Sequence, residues 1–388
     1  MEALKAVPSL YPRLGVLLSL TGPYCVVTRS MLNGVLLAAD RVAAEDGRAL
    51  DLVIADPGGE PTRYPELCAG LLQSGIRHVI GCYTSSSRKD VIPLFEKHDA
   101  MLWYPSHYEG YETSTQVIYT GAVPNQHVIP LVEYLTGQGR KRIFCVGSNY
   151  IWAWENNRIL RDELLRYGGS VLAERYIPVG ETDFDSIIGA ILNASPDVVF
   201  STLIGTSAYA FLNAFRSACS AWGIDQAQQI PVASCSLSEP ELEAIGPGAV
   251  DGHISVSVYF SSIASPANQA FTAAHDARFP HGPTMSADAE ASYVATLLLA
   301  RALAAAGSED VAAVRQAVMG QRLQAPQGEV WIDEQTSHAY LTPRIGRSNR
   351  HARFDIVMEA RAPQRPDPYL VHSSARLEAP RPSLRLVS

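Results

Sequence analysis

Residues 14–20 read LGVLLSL and are followed directly by the turn sequence Thr21-Gly22-Pro23. An uninterrupted apolar run of this length is typical of a β-strand that is buried on both faces of a sheet. The next segment predicts a helix, with Thr28 as its N-cap and Gly47 at its end. A buried strand that leads through a short turn into a helix is the first unit of an α/β fold.

The same unit recurs as far as residue 234. The first series contains strands at 14–20, 50–55, 78–83 and 100–104, with helices at 28–47, 62–75 and 87–98. The second series contains helices at 125–135, 154–167, 183–192 and 207–221, with strands at 142–147, 170–177, 197–203 and 230–234. Alternation of this kind predicts doubly wound parallel sheets. Because the unit lengths of the two series are similar, we predict two similar α/β lobes.

The pattern changes after Asp251. A strand-like segment at 253–260 precedes two Ala-rich helices, which begin at Pro266 and Ser286. Strand-like segments then follow at 330–333 and 354–358, with a predicted hairpin through Tyr340 and Ile345 between them. Since these segments do not form an α/β domain of their own, we predict that they complete the two lobes. The first lobe is then 1–123 plus 253–334, and the second is 124–252 plus 335–388.

Composition narrows the possible function classes. The 388 residues include 31 basic and 39 acidic side chains, a net charge of -8, without the basic face of a nucleic-acid binder. The sequence contains no run of about 18 apolar residues, the length that would predict a membrane span. Residues 1–11 are interrupted by proline and do not read as an export signal. The six cysteines are scattered without C-x-x-C spacing, so we expect a cytoplasmic protein with reduced thiols.

The sequence predicts neither catalysis nor a bound cofactor or metal. It contains no dinucleotide fingerprint, phosphate-binding loop, serine-hydrolase elbow or zinc-protease motif. His275 and His281 are six residues apart near an expected loop, which does not fit a zinc pair on one helix face. Cys82 and Cys235 are the candidate nucleophiles of an enzyme, but neither is adjacent to a His or Lys. We therefore expect a binding protein.

Hydroxyl groups and aromatic rings follow the predicted strands, with few charges among them. Residues 82–87 read CYTSSS, 103–108 read WYPSHY and 147–152 read GSNYIW. Ligands of open α/β sheets bind beyond these carboxyl ends of the strands. Helix capping explains part of the hydroxyls, but it does not explain large rings at the same positions. The pattern predicts a small, uncharged polar ligand, because only Glu155 and Glu239 are candidates to bind an ammonium group.

Two further motifs have two interpretations each. Asp56-Pro57-Gly58-Gly59 is either a backbone nest for an anion or an ordinary turn, and D-P-G-G is foremost a turn. Glu109 and Glu112 are either a pair of functional carboxylates or solvated and hydrogen-bonded side chains. The second interpretation is favoured, because both residues follow a strand in a Tyr/Gly-rich loop.

Several short blocks carry a resemblance to a known family. They are Asp56–Gly59 with Arg63-Tyr64, Gly81–Tyr83 with Arg88-Lys89, Tyr104-Pro105, Tyr108–Gly110, Pro124–Gln126, Gly147-Ser148 with Tyr150-Ile151, Val199–Thr202, Tyr259–Ser262 and Arg365–Tyr369. By these blocks, which span residues 13–370, the chain resembles the type I periplasmic-binding-protein superfamily. Within it, the chain is most similar to amide-sensing negative regulators of aliphatic amidase operons. It also resembles urea and short-chain-amide transport receptors.

The resemblance implies two lobes joined by three crossovers, with a small neutral amide bound between them. It implies ligand contacts at Tyr83, Ser85, Tyr104, Ser106 and Tyr150, with Trp152, Thr206 and Cys235 nearby. It further implies a cytoplasmic sensor that holds an RNA-binding antitermination protein silent until a fitting amide binds. The operon under control would encode an amidase or a nitrile hydratase, and a homodimer is expected on the same basis.

This chain departs from the family pattern at three positions around the expected site. Ser106 and His107 stand where the family block reads Thr-Pro, and Trp152 stands where it has Tyr. These departures add a titratable donor and alter the pocket wall, so they bear on which amide is preferred. The alternative function is that of a solute-binding protein of an importer for short-chain amides, urea or branched-chain amino acids.

Overall fold

The computed structural model describes residues 12–47, 49–374 and 384–386. Five parallel strands form the sheet of the first lobe, in the order β2-β1-β3-β4-β5. The strands are β1 (Arg13–Leu17), β2 (Asp51–Ala55), β3 (His78–Gly81), β4 (Met101–Tyr104) and β5 (Val117–Tyr119), and the helices between them are α1 (Cys25–Asp46), α2 (Arg63–Gln73) and α3 (Ser85–His98). β1 is an interior strand, and its apolar side chains are buried on both faces, as the LGVLLSL run predicts.

The second lobe contains a sheet in the order β16-β15-β14-β10-β9-β8-β6-β7. Its parallel part is β6 (Arg142–Ser148), β7 (Ser170–Ile177), β8 (Val198–Thr202), β9 (Val232–Ser234) and β10 (Ile254–Ser257). After a 3-10 turn at Pro124–Gln126, its helices are α4 (Val128–Gly137), α5 (Ile151–Arg166), α6 (Asp185–Ala194), α7 (Thr206–Ala221), α8 (Gln226–Gln229) and α9 (Glu239–Ile245). The two lobes confirm the predicted doubly wound α/β class.

The late part of the chain returns to both lobes. Helices α10 (Pro266–Arg278), α11 (Ala287–Ala306) and α12 (Val311–Val318) come first, and α11 packs along α1 of the first lobe. Strands β11 (Arg322–Ala325), β12 (Gly328–Ile332) and β13 (Ala339–Tyr340) then form a small antiparallel sheet. Strands β14 (Arg344–Ser348), β15 (Phe354–Ala360) and β16 (Leu384–Leu386) extend the second sheet in antiparallel fashion, and α13 is Val371–Ser374.

The structure differs from the predicted lobe boundaries in two places. β10 belongs to the second sheet, so the chain crosses to the first lobe after residue 257 instead of at 253. The small sheet, whose β11 packs on α10 and α11, runs to Tyr340, past the predicted boundary at 334/335. The predicted hairpin through Tyr340 and Ile345 is wrong, because β13 pairs with β12 whereas β14 pairs with β10 and β15. The ends of the predicted lobes, 1–11 and 375–388, lie largely outside the described residues.

Several predicted helix starts are also wrong, among them those of α1, α3 and α5, which begins at Ile151 instead of Trp154. α1 begins at Cys25, and the hydroxyl of Thr28 is buried inside it, donating to the carbonyl oxygens of Ser19 and Tyr24. Thr28 therefore ties the helix to the end of β1 and does not cap it. α3 begins at Ser85 instead of Ser87, because the hydroxyl of Thr84 accepts a hydrogen bond from the backbone N–H of Ser87 at 3.3 Å.

One helix among the described residues is long and apolar enough to cross a membrane. This helix is α11, with 20 residues and a mean hydropathy of 1.3 in its most apolar window. It is 78% buried within the protein, where it packs against α1, α12 and the strands of the first lobe. Burial of this extent is typical of the core helix of a folded domain.

Candidate functional site

A cavity lies between the two lobes at the carboxyl ends of both sheets. It encloses about 200 Å³, part of it open to solvent, and is lined by Tyr83, Ser85, Ser106, His107, Tyr150, Trp152 and Ile204. The first lobe contributes residues that follow β3 and β4, and the second lobe contributes residues that follow β6 and β8. A ligand in this cavity would therefore touch both lobes at once.

Five of the eight predicted site residues line this cavity: Tyr83, Ser85, Ser106, Tyr150 and Trp152. Burial raises the pKa of Tyr83 and of Tyr150 well above the ordinary value. Both phenols are therefore neutral and able to donate or accept a hydrogen bond. His107 and Ile204 complete the wall. The strand-end pattern at 103–108 contained His107 but did not distinguish it from its neighbours.

Ser85 rests on a buried ion pair. Its hydroxyl donates to Glu109 Oε2 at 2.5 Å, and Arg88 Nη1 donates to the same hydroxyl oxygen at 3.3 Å. Arg88 Nη2 and Glu109 Oε1 are 2.9 Å apart, and the side chains of both residues are at most 2% exposed. Burial lowers the pKa of Arg88, but Glu109 and the neighbouring tyrosines raise it by more, so the net change favours the cation. This pair fixes the position of the serine at the start of α3.

Ser106 has a carboxylate partner of its own. Its hydroxyl donates to Asp288 Oδ1 at 3.0 Å, and His107 Nδ1 lies 3.2 Å from the same oxygen. Asp288 stands in the first turn of α11 and is buried. A helix N-terminus stabilises negative charge at such a position. The late helix α11 therefore supplies a charged group that orients residues after β4.

Both lobes contribute aromatic rings to the wall. The rings of Tyr150 and Trp152 are stacked with centroids 6.2 Å apart, and His107 meets the Trp152 ring edge-on at 5.3 Å. Trp152 is 2% exposed. Its indole Nε1–H is buried and has no hydrogen-bond partner among the described residues. A residue of the cavity wall thus carries a donor that no described residue satisfies.

The other three predicted residues do not line the cavity. Tyr104 is fully buried behind it, and its hydroxyl donates to the carbonyl oxygen of Tyr83 at 2.9 Å. The side chain of Thr206 is exposed, and its backbone N–H donates to the Pro23 carbonyl of the first lobe at 3.0 Å. Cys235 is buried between Ser234 and Ser236, which line a second cavity of about 240 Å³ within the second lobe. Tyr104 thus supports the wall indirectly.

The remaining candidates have structural partners. Asp56 accepts hydrogen bonds from the backbone N–H groups of Leu20 and Gly58, and Gly59 N–H donates to Ser19 Oγ, so these amides of the D-P-G-G turn are occupied. Glu112 pairs with Lys89 on the surface. Glu155 pairs with Arg158, and Glu239 accepts from Ser261. Neither candidate for an ammonium group lies in the cavity wall.

The two cysteines considered as nucleophiles are not activated. Burial raises the pKa of the Cys82 thiol and of the Cys235 thiol far above the ordinary value. Because the thiolate is the reactive form of cysteine, both side chains are inert. Among residues 12–47, 49–374 and 384–386, no group of three His, Cys, Asp or Glu side chains is arranged to hold a metal ion.

This architecture is that of known ligand-binding proteins. A family model described as periplasmic binding protein domain matches residues 12–375. The chain belongs to this family. Leu/Ile/Val-binding protein homolog 6 of Brucella abortus (strain 2308) is 22% identical over 338 residues, which cover 84% of each chain. Each relative named here is a binding protein, in keeping with the expectation that this chain is not an enzyme.

Two solved structures share the fold. A solute-binding protein of an ABC transporter from R. palustris, in complex with 4-hydroxybenzoate, superposes with a TM-score of 0.82 at 20% identity and covers 91% of this chain and 97% of its own. The leucine-binding protein LivK from Thermotoga maritima superposes with a TM-score of 0.77 at 18% identity, covering 89% and 97%. At these identities the likeness shows the type I periplasmic-binding-protein fold alone.

Proposed function

We propose that this chain is a solute-binding receptor for a small, uncharged polar compound of the short-chain amide or urea class. The observation that carries the proposal is the cavity between the lobes, which is walled by hydroxyl groups and aromatic rings. The charged groups beneath it are already paired, Arg88 with Glu109, and Asp288 with Ser106 and His107. A free amino acid would need a carboxylate for its ammonium group in the wall, and the wall is formed by other residue types.

Binding would favour the closed arrangement of the lobes. Tyr83, Ser85 and Ser106 come from the first lobe, whereas Tyr150 and Trp152 come from the second. A ligand that bridges these two walls contacts both lobes in the closed state and loses its contacts with one lobe in an open state. The difference between the binding free energies of the closed and the open state drives closure. The closed receptor is the form that a partner protein recognises.

The cellular role depends on which partner protein recognises the closed receptor. The binding proteins to which the chain is similar support the role of receptor for an ABC importer. The second candidate is a cytoplasmic amide sensor, expected as a homodimer, that holds an RNA-binding antitermination protein until the ligand binds. The blocks of resemblance at Gly81–Tyr83, Tyr104-Pro105 and Tyr150-Ile151 border the cavity, and because they resemble amide sensors and amide transport receptors alike, they support the ligand class in either role.

Isothermal titration calorimetry with acetamide, propionamide, urea and leucine tests the proposed ligand class. We expect saturable binding of at least one of the three neutral compounds. Saturation by leucine with no response to any neutral compound would contradict the proposal. Cell fractionation, followed by affinity purification with and without the bound compound, distinguishes the two roles. Recovery of a permease supports the importer, and ligand-sensitive recovery of an RNA-binding protein supports the sensor.

A further inference from the structure

Two serines on the first-lobe wall each stand against a buried carboxylate. Ser85 Oγ is 2.5 Å from Glu109 Oε2, and Ser106 Oγ is 3.0 Å from Asp288 Oδ1. All four side chains are buried, with exposed fractions of 1%, 2%, 1% and 4% in the order Ser85, Glu109, Ser106 and Asp288. The two serines also line the cavity, whereas the two carboxylates stand behind them.

The hydrogen-bond partners of Ser85 determine where its proton points. A carboxylate accepts hydrogen bonds only, and a guanidinium group donates them only. The single Ser85 proton is therefore directed to Glu109, and one of its two lone pairs accepts from Arg88. The lone pair that remains is available on the cavity side. To a ligand, Ser85 is a hydrogen-bond acceptor.

Ser106 is held in the same way by the other carboxylate. Its proton is directed to Asp288 Oδ1, which His107 Nδ1 also approaches at 3.2 Å. The Ser106 oxygen therefore also offers a lone pair to the cavity.

The opposite wall supplies the complementary group. An indole nitrogen donates hydrogen bonds and does not accept them. The Nε1–H of Trp152 is buried in the wall without a partner among the described residues. Leaving such a donor unsatisfied is costly, so a bound ligand that places an acceptor there gains affinity.

We propose that Glu109 and Asp288 are the residues that determine specificity for N–H-bearing carbonyl compounds over carboxylates of the same shape. The inference rests on the proposed function, because it concerns the same cavity. The two carboxylates act through Ser85 and Ser106 and are positioning residues. A primary amide or urea places N–H groups against the two serine oxygens and its carbonyl oxygen toward Trp152. A carboxylate ligand places anionic oxygens against lone pairs, with two buried carboxylates behind them.

Matched pairs of amide and acid test this assignment on the full chain. Calorimetric titration compares acetamide with acetate, propionamide with propionate, and benzamide with benzoate. We expect each amide that binds to bind at least about 100-fold more tightly than its acid. The reason is that the acid cannot donate to the serine oxygens and leaves these buried polar groups without a partner. An acid that binds as tightly as its amide overturns the inference but leaves a solute-binding receptor in place. If no amide and no acid binds, the proposed function fails and the inference fails with it.

The variant Asp288→Ala isolates the positioning effect. Without the carboxylate, the Ser106 proton is free to turn to the cavity, so we expect the amide-to-acid affinity ratio to fall at least about tenfold. Asp90→Ala removes an exposed carboxylate from α3 and is the matched control, with no expected change in the ratio. An unchanged ratio in folded Asp288→Ala, judged by thermal unfolding, overturns the role of Asp288.

The second variant, Ser85→Ala, tests the other half of the pair without leaving Arg88 unpaired in the core. It removes the acceptor that Glu109 orients and keeps the Arg88–Glu109 ion pair. We expect amide affinity to fall about tenfold and the affinity for acids to stay the same or rise. Equal losses for both members of a pair would mean that Ser85 serves packing alone, which overturns the role of Glu109.

Discussion

At the scale of single residues, we predict that the indole N–H of Trp152 donates one hydrogen bond to the ligand. Trp152→Phe keeps an aromatic ring in the wall beside Tyr150 and His107 but removes the buried Nε1–H that is without a partner in the described part of the chain. We expect affinity for an amide to fall roughly 3- to 10-fold, the value of one net hydrogen bond. Calorimetric titration measures the loss.

The matched control is Trp222→Phe. Trp222 is 69% exposed at the end of α7, so the same change there should leave affinity untouched. The unliganded Trp152→Phe variant should lose stability only through its smaller buried ring, because no hydrogen bond of the indole nitrogen to a described residue is lost. Unchanged affinity in this variant would show that the ligand does not use the indole donor.

Local sequence could place individual side chains at the site, but not their partners. Tyr83, Ser85, Ser106, Tyr150 and Trp152 follow strand ends, and the strand-end rule finds such positions without any knowledge of tertiary contacts. Asp288, in contrast, is 182 residues away from Ser106 and reaches it only through the crossover to α11. The chemistry of the serines was therefore not predictable, because it depends on a group that sequence proximity does not reveal.

At the scale of elements, the contact between α1 and α11 depends on one glycine. A Cβ atom added at Gly34 would lie 2.1 Å from the carbonyl oxygen of Ala289, in the first turn of α11. Gly34→Ala should therefore push the helices apart and lower the free energy of unfolding by about 1–3 kcal/mol. Because Asp288 is the neighbour of Ala289, amide affinity should fall as well.

Gly70→Ala in α2 is the control for this substitution. A Cβ at Gly70 meets no atom within 4 Å, so helix propensity alone acts and should raise stability by about 0.5–1 kcal/mol. Denaturant unfolding of both variants measures the difference. Equal effects of the two substitutions would mean that α1 and α11 have room to adjust.

Helix α9 carries a buried carboxyl group whose ionisation is linked to stability. Burial raises the pKa of Glu241 from its ordinary value of 4.5 to about 8, against the hydrogen bonds that Ser238 donates to it. Between these two values the folded protein keeps a proton that the unfolded chain has released. The contribution of Glu241 to stability therefore falls as pH rises from 4.5 to 8.

Glu241→Gln removes this linkage while keeping the capping box, in which Gln serves as well as Glu. We expect the free energy of unfolding of the variant, relative to that of the wild type, to rise by more than about 1 kcal/mol between pH 5 and pH 8. Urea titrations at several pH values measure this difference, in which all other titrating groups cancel. A difference that is independent of pH would contradict a raised pKa.

Element types were more predictable than element ends or partners. The apolar run at 14–20 and the βα alternation were sufficient to predict two α/β lobes, because buried strands and amphipathic helices have strong local patterns. The start of α1 was missed because Thr28 was predicted as its N-cap. The Thr28 hydroxyl instead donates to the Ser19 carbonyl, a tertiary contact that the local sequence does not reveal. The short strands β5 and β13 were also beyond local prediction, since 3 and 2 residues respectively carry no periodicity.

At the scale of the whole molecule, the proposed function depends on whether the two lobes meet. The loop after β1 contacts the loop after β8, where Thr206 N–H donates to the Pro23 carbonyl at 3.0 Å, and α1 packs against α9 nearby. These contacts join the two lobes, so a separation of the lobes would break them. Amide binding and lobe contact should therefore strengthen one another.

Gly205→Ala tests this coupling. A Cβ at Gly205 would lie 2.2 Å from the Pro23 carbonyl oxygen, so the variant should resist closure and bind the amide at least about tenfold more weakly. Small-angle scattering should show wild type contracting on addition of amide, and the variant remaining extended.

Gly180→Ala is the matched control, because Gly180 also has a positive φ, of 91° against 59° for Gly205, but has no atom within 4 Å of the added Cβ. It carries similar backbone strain without the contact between lobes and should contract like wild type. If Gly205→Ala also contracted fully, closure would not need this contact, and the ligand alone would join the lobes.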